Sequence, residues 1–341
     1  MIFIIIPILV VILTAVVLAT RLPEKLNLID APGGRKQHSN ATPTVGGLVL
    51  YISILAGTLF LNPEPKLFWM ISSVSILVVV GALDDVLGLS VKIRLGAQSV
   101  ASLTMIAGGQ LYVASFGLHL DVLESIPIWF AICFTTIAII GITNGFNMVD
   151  GIDGLASGHA LVSLTVAAFA MLSGHGAIPQ LTWFLMFFSA TLTFFLINMK
   201  FTPLKKVFLG DSGSMLLGFI VGWMLVYYSQ DPIAAIHPVS AIWCIALPVW
   251  DGITVVCLRL ASGASPFSSD RNHLHYLIIE LGVRPKFTLL SILCSAAGIG
   301  FFGVWLTSNF SPEISLICYL VFLACYGFGV YRLAALGIKG E

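Results

Sequence analysis

The chain has 341 residues, 58% of them hydrophobic and only 9% charged, with sixteen basic and sixteen acidic side chains that cancel. Mean hydropathy is +1.02, and soluble domains carry about 25% charged residues. A soluble globular enzyme is therefore excluded, and a polytopic membrane protein is expected.

Eleven apolar stretches approach the roughly 20 residues that a membrane-spanning helix needs. In chain order they cover 2–20, 45–61, 67–83, 94–110, 127–144, 156–174, 180–198, 213–229, 238–258, 287–307 and 313–331. The first starts at Met1 with no basic segment before it and no small-residue cleavage pattern after it, which reads as a retained span rather than a signal peptide. With eleven spans, every Lys and Arg except Lys66 falls on the side that carries the C-terminus. The positive-inside rule then places the N-terminus outside and the C-terminus in the cytoplasm. The six cysteines all lie inside apolar stretches and form no Cys-x-x-Cys pair, so they read as helix-packing residues. No linker or low-complexity segment divides the chain, and a single membrane domain over 1–341 is expected.

Most acidic residues cluster at the ends of spans on that same cytoplasmic side. Asp84 and Asp85 end the third stretch, Asp150 and Asp153 follow the fifth, and Asp211 opens the eighth. Asp251 lies within the ninth and Asp270 just after it, while among the aspartates only Asp121 and Asp231 fall on the opposite side. Carboxylates at a membrane boundary are costly without a cation, a partner or water, so a cluster drawn from remote segments reads as a functional site.

Each island has its own chemistry. The adjacent charges of Asp84 and Asp85 repel at the edge of the hydrocarbon, and a divalent cation relieves that; Mg2+ takes one or two carboxylates plus phosphate oxygens. In Asn144-Gly145-Phe146-Asn147-Met148-Val149-Asp150-Gly151-Ile152-Asp153-Gly154, Asn144, Asn147, Asp150 and Asp153 recur every third residue and line one side of a helical turn. The glycines there favour a broken segment that a ligand can approach closely. In Phe208-Leu209-Gly210-Asp211-Ser212-Gly213-Ser214, small residues at a helix start leave backbone N–H groups for a phosphate, with Asp211 as a simple N-cap the plainer alternative.

Two basic segments complete the pattern. Asp270-Arg271-Asn272-His273-Leu274-His275-Tyr276 joins a cation to two imidazoles whose spacing does not suit zinc and does suit donors to a diphosphate. Arg35, Lys36 and His38, within Gly33-Gly34-Arg35-Lys36 and ahead of Pro43-Thr44-Val45-Gly46-Gly47, can hold a phosphate as well as set topology. Lys200, Lys205 and Lys206 read as topogenic alone.

These motifs, in this order and across essentially the whole chain, resemble the polyprenyl-phosphate N-acetylhexosamine-1-phosphate transferases. Ser265-Pro266-Phe267 through His275, with His237-Pro238-Val239, is most similar to the branch that uses undecaprenyl phosphate and UDP-N-acetylglucosamine. The resemblance implies transfer of N-acetylglucosamine 1-phosphate to undecaprenyl phosphate, release of UMP, and a start for O-antigen or related surface glycans. It further implies an all-α protein of the bacterial cytoplasmic (inner) membrane with its active site on the cytoplasmic face. Mg2+, with Mn2+ as a substitute, is the implied cofactor, and membrane lipids surround the protein; no nucleic-acid partner is implied.

Residue by residue, the resemblance assigns Asp84, Asp85 and Asp211 to the metal or the lipid phosphate. Asp84, Asp85, Asp150, Asp153 and His273 fall to catalysis, Phe208 to stacking on uracil, and Lys36, Arg35, Asn147, Arg271 and His275 to substrate contact. Tyr276 stands where the family reads a third histidine, which puts that position's role in question. Another UDP-N-acetylhexosamine as donor, one-step or covalent two-step transfer, the identity of the base and a homodimer all stay open. A secondary transporter is the rival class, disfavoured because only Asp251 lies well inside a span.

Overall fold

The computed structural model describes residues 2–21, 29–30, 42–60, 65–119, 126–230, 232–268 and 270–337. Arg35, Lys36, His38 and Asp121, singled out from the sequence, lie outside the described residues, as does Asp231. In chain order the helices are α1 (Ile2–Arg21), α2 (Gly46–Phe60), α3 (Pro65–Leu87), α4 (Val91–Gly109), α5 (Ile128–Val149), α6 (Leu155–His175), α7 (Leu181–Asn198), α8 (Gly210–Ser229), α9 (Pro238–Cys244), α10 (Ala246–Ala261), α11 (Leu274–Glu280), α12 (Pro285–Asn309) and α13 (Pro312–Gly337). Two short strands, β1 (Ile29–Asp30) and β2 (Thr42–Pro43), pair antiparallel with Ile29 opposite Pro43.

All eleven apolar stretches are helical. Seven helices are long and apolar enough to cross a membrane, or eight if α9 and α10 count as one span. That pair covers the one span expected over 238–258, and the chain bends by 74° between its two helices at Ile245. Large apolar side chains such as Ile317, Leu320, Val321 and Phe328 of α13 point outward, as suits a helix whose solvent is lipid. The same holds for the cysteines. Only Cys244 is buried, while Cys133, Cys257, Cys294 and Cys325 are exposed. A packing role for all six was wrong, because a small apolar side chain needs no burial where the surroundings are apolar.

The chain divides into two compact units, Met1–Leu111 with Gln180–Ile220, and Tyr112–Pro179 with Val221–Glu341. In the first unit the segment entering α2 clasps the segment entering α8. Gly46 and Gly47 donate their N–H groups to the Phe208 and Leu209 carbonyls at 2.9 and 3.0 Å, and Phe208 N–H donates to the Pro43 carbonyl at 2.8 Å. These glycines are packing positions: a Cβ on Gly47 would strike Ser212 and Gly213, and one on Gly81 of α3 would strike the Ser212 backbone. Three elements therefore meet at the first turn of α8, at a separation that only missing side chains permit.

In the second unit a ring cluster forms the core behind the bend. Trp243 of α9 packs edge-on against Tyr319 of α13 at 5.1 Å between ring centroids, and Trp250 of α10 packs on the same Tyr319 at 5.2 Å. The Trp243 indole N–H donates to Ser315 Oγ at 3.0 Å, so the polar edge of a buried ring is satisfied. Gly303 of α12 lets that indole lie flat on its backbone. Pro238 begins α9, and His237 Nδ1 caps it by accepting from Val239 N–H at 3.2 Å.

Replacing Gly81 by Ala forces α3 and α8 apart or bends one of them. The expected cost is about 1–3 kcal/mol, seen as a lower thermal midpoint of the detergent-purified protein; an unchanged midpoint would contradict the contact.

Candidate functional site

In the first unit, Asp84, Asp85 and Asp211 come together at the start of α8. Asp84 lies in the last turn of α3 and is buried. Its Oδ1 accepts from Leu89 N–H at 2.6 Å and its Oδ2 from the Arg94 guanidinium at 3.0 Å. Gly88, with φ of +62°, makes the turn between α3 and α4 that lets both donors reach it. Asp84 thus ties the two helices across their connection. Asp85 reaches the other way: its carboxylate accepts from Asp211 N–H at 2.8 Å, Ser212 N–H at 3.3 Å and Ser212 Oγ–H at 3.0 Å.

That contact corrects one expectation. The N–H groups of Asp211 and Ser212, which the motif appeared to offer to a phosphate, are capped by a carboxylate from another helix. The reason is electrostatic, since an anion at a helix N-terminus is stabilised whether it comes from a ligand or a side chain. Gly210, with φ of +73°, sits against Asp85 so closely that a Cβ would come within 2.7 Å of Oδ2. Arg94, which read only as a topogenic charge, is the residue the sequence did not reveal. Its guanidinium stands 3.0 Å from Asp84 Oδ2 and 3.9 Å from Asp211 Oδ2, bridging two of the three carboxylates. Asp211 is far more solvent-accessible than Asp84, with 38% of its side chain exposed against 4%. Phe208 stands three residues before Asp211 with Lys206 Nζ 4.6 Å above its ring.

Among the described residues no group of three or more His, Cys, Asp or Glu side chains is gathered to hold a metal ion. The chemistry of the donors still suits Mg2+, which takes one or two carboxylates and leaves its other positions to water and phosphate oxygens. Asp211 with one of its neighbours fits that set; a closed site of three carboxylates does not, because Arg94 and the α8 N–H groups already face Asp84 and Asp85.

The second unit holds the other islands. The helical alignment expected of Asn144, Asn147, Asp150 and Asp153 is interrupted, because α5 ends at Val149. Asn144 and Asn147 remain on the helix, Asp150 caps its end, and Asp153 lies exposed in the turn. Gly154, with φ of +77°, then opens α6. The histidine segment docks on this turn: His275 Nε2 lies against Gly151 where a Cβ would sit. Tyr276 packs on His275 at 4.1 Å between rings, with the Arg271 guanidinium 5.8 Å from its own ring. Burial pushes the Tyr276 phenol above its ordinary value, Arg271 opposing and the Asp150 carboxylate adding to the shift. At the position where the resemblance led to a third imidazole being expected, Tyr276 thus supplies a phenol O–H.

Helix α10 holds the loop that carries these residues at two points. Arg259 donates to Asp270 at 2.7 and 3.3 Å and to the Pro266 carbonyl at 2.9 Å. Burial alone would raise Asp270, but the Arg259 hydrogen bonds and the Asn272 N–H outweigh it and hold the carboxyl below its usual range. About two turns away on the same helix, Asp251 Oδ2 lies 2.7 Å from His273 Nδ1. His159, unremarked in the sequence, is buried and lines with Asp251, His275 and Tyr326 a cavity of about 10 Å³, room for about one water.

With the geometry in place, relatives can be compared. The profile of glycosyl transferase family 4 matches residues 67–229. The undecaprenyl-phosphate alpha-N-acetylglucosaminyl 1-phosphate transferase of Escherichia coli K12 is 35% identical over 321 residues, 92% of this chain and 86% of that protein. The same-named proteins of Yersinia pestis and Haemophilus influenzae are 35% identical over 320 residues and 32% over 282, covering 92% and 80% of this chain and 87% and 79% of their own lengths.

Burial and the nearby His273 push His275 down from 6.5 to about 4, against the pull of Asp251, with His159 adding to the lowering. The folded protein then refuses a proton that the unfolded chain accepts between those values, so stability is full above about pH 6.5 and falls as the pH is lowered toward 4. The thermal midpoint should fall over that window, and His275→Gln should flatten the fall; an equally steep fall in the variant would assign it elsewhere.

Proposed function

The chain belongs to glycosyl transferase family 4, and from that premise we propose that it transfers N-acetylglucosamine 1-phosphate from UDP-N-acetylglucosamine to undecaprenyl phosphate, releasing UMP. The observation that carries this reading is the gathering of Asp84, Asp85, Arg94 and Asp211 at one helix start. The cluster supports the reading because carboxylates beside a guanidinium could hold the cation that two anionic phosphates need in order to meet. The likeness to the named relatives along 92% of the chain supplies the donor and acceptor.

The protein is an integral membrane transferase with one catalytic domain over 1–341, and we place it in the bacterial inner membrane with eleven spans. The N-terminus lies outside and the site at the cytoplasmic face, where all basic residues but Lys66 fall. Asp211, with Asp84 or Asp85, would hold Mg2+, which supplies charge neutralisation on the diphosphate. Arg94 balances the carboxylates and keeps Asp211 turned toward the ligand. By the same resemblance Phe208 would stack on uracil, Arg271 and Lys36 would contact phosphate, Asn147 would contact substrate, and Asp150 and Asp153 would take part in catalysis.

In the reaction, an oxygen of the lipid phosphate attacks the phosphorus that bears the sugar. The bond from that phosphorus to the UMP oxygen breaks, and UMP leaves with the electron pair. Direct displacement is favoured over nucleophilic attack by Asp84 or Asp85, because both oxygens of each already accept from protein donors. Such a carboxylate is stabilised as an acceptor and turned away from attack.

Purified protein supplied with UDP-N-acetylglucosamine, undecaprenyl phosphate and Mg2+ should release UMP only when the lipid is present, and EDTA should abolish release. Release with a different UDP-N-acetylhexosamine alone would correct the sugar. A burst of UMP without lipid would contradict direct displacement, and silence with every donor would contradict the transferase.

A further inference from the structure

Asp251 is a carboxylate in the middle of an apolar helix, 3% exposed, and the reaction as drawn above does not use it. Its two oxygens are occupied unequally. Oδ1 accepts two hydrogen bonds, from Leu274 N–H at 3.0 Å and from Tyr326 O–H at 2.8 Å. Oδ2 faces one atom, His273 Nδ1, at 2.7 Å. Both side chains of that pair are nearly closed to solvent, 4% and 6% exposed.

Anchoring the loop does not account for this arrangement. Arg259 already clamps the same loop through Asp270 and Pro266, and Leu274 N–H gives Asp251 a backbone hold of its own. The contact to the ring nitrogen adds something different, which is a choice between the two nitrogens of His273. Oδ1 already accepts from an amide N–H and a phenol O–H, and in the remaining contact an imidazole is by nature the more basic partner than a carboxylate. Nδ1 of His273 must then carry the proton.

We propose that Asp251 is a positioning residue that fixes His273 in the Nδ1–H tautomer and leaves Nε2 as the nitrogen offered to the substrate phosphates. His273 then meets a phosphate as a proton acceptor or, once protonated, as a cation, and never as a neutral N–H donor. Tyr326 of α13 and the first N–H of α11 orient the carboxylate that makes this choice. The proposal rests on the transferase reading for the identity of the ligand, but the tautomer is a property of the protein alone.

The unequal occupation of the two oxygens makes a specific outcome for Asp251→Asn. Two donors, Leu274 N–H and Tyr326 O–H, require the amide oxygen on their side, so the amide NH2 must face His273. A donor there forces Nδ1 to accept, and the proton moves to Nε2. The substitution is nearly isosteric and still inverts the ring, as the equivalent change does in carboxylate-histidine pairs of hydrolases.

The test is 15N NMR of the full-length, histidine-labelled protein in detergent, with His273 assigned by the signal lost in His273→Gln. In wild type the neutral ring should show a protonated Nδ1; in Asp251→Asn, eluting as wild type on gel filtration, the protonated nitrogen should be Nε2. Lipid-dependent UMP release should fall about 100-fold in that variant, and Tyr326→Phe should keep the wild-type tautomer because Leu274 N–H remains. A wild-type ring protonated on Nε2, or an Asp251→Asn protein with unchanged tautomer and turnover, would overturn the proposal, and the first result needs no variant. Wild-type protein with the assigned tautomer and no UMP release from any donor would leave the positioning standing and remove the transferase reading.

Discussion

The contact on which the rest of the first unit depends is the capping of α8 by Asp85. A helix start has N–H groups with no partner inside the helix, and in an apolar surround each one left unmet is expensive. Asp85 answers two of them, which draws α3 against α8 at the glycine crossing of Gly81 and Ser212. Once α3 is held there, its neighbour Asp84 is turned to the opposite side, where Leu89 and Arg94 meet it. The adjacent carboxylates therefore point apart, and their mutual repulsion is answered by separate donors. Arg94, arriving from α4, reaches past Asp84 toward Asp211. One cap thus fixes three acidic side chains and the cation between them.

The second unit uses the same device on the histidine loop. A carboxylate on α10 caps the start of α11 through Leu274 N–H and orients a histidine with its other oxygen. An ion pair two turns along the same helix holds the loop's other end. In both units an acidic side chain meets the N–H groups at the start of a neighbouring helix. Acidic residues that look alike in the sequence differ in burial: Asp84 and Asp251 are buried, Asp85 and Asp211 half-buried, and Asp153 exposed.

Much of this was legible in the residues and some was not. Helix positions followed from apolar run length, and all eleven stretches are helical. The bend at Ile245 was hidden because residues 238–258 are apolar throughout, and hydropathy does not register a change of direction. The acidic islands announced themselves by their cost in an apolar chain, but their partners did not. Arg94 and Arg259 looked like topogenic charges, and only the fold brings them to Asp84 and Asp270. In the central island the three-residue spacing lined side chains along a helical turn while the glycines favoured a break, and the break is found after Val149; the packing of His275 on Gly151 explains why no side chain stands there. Tyr326 and His159 carried no local signal, since each lies alone in an apolar helix.

The proposed division of roles in the first unit, Asp85 holding the helices together and Asp211 meeting the ligand, is tested most directly by Asp85→Asn beside Asp211→Asn. Thermal midpoint and lipid-dependent UMP release would be measured on both purified proteins. Asp85→Asn should lose stability and turnover together, because the amide nitrogen cannot accept from the α8 N–H groups. Asp211→Asn should lose about 100-fold in turnover while its stability stays within about 0.5 kcal/mol of wild type. The reverse pattern, a stable Asp85→Asn that is inactive and an unstable Asp211→Asn that still turns over, would contradict the account.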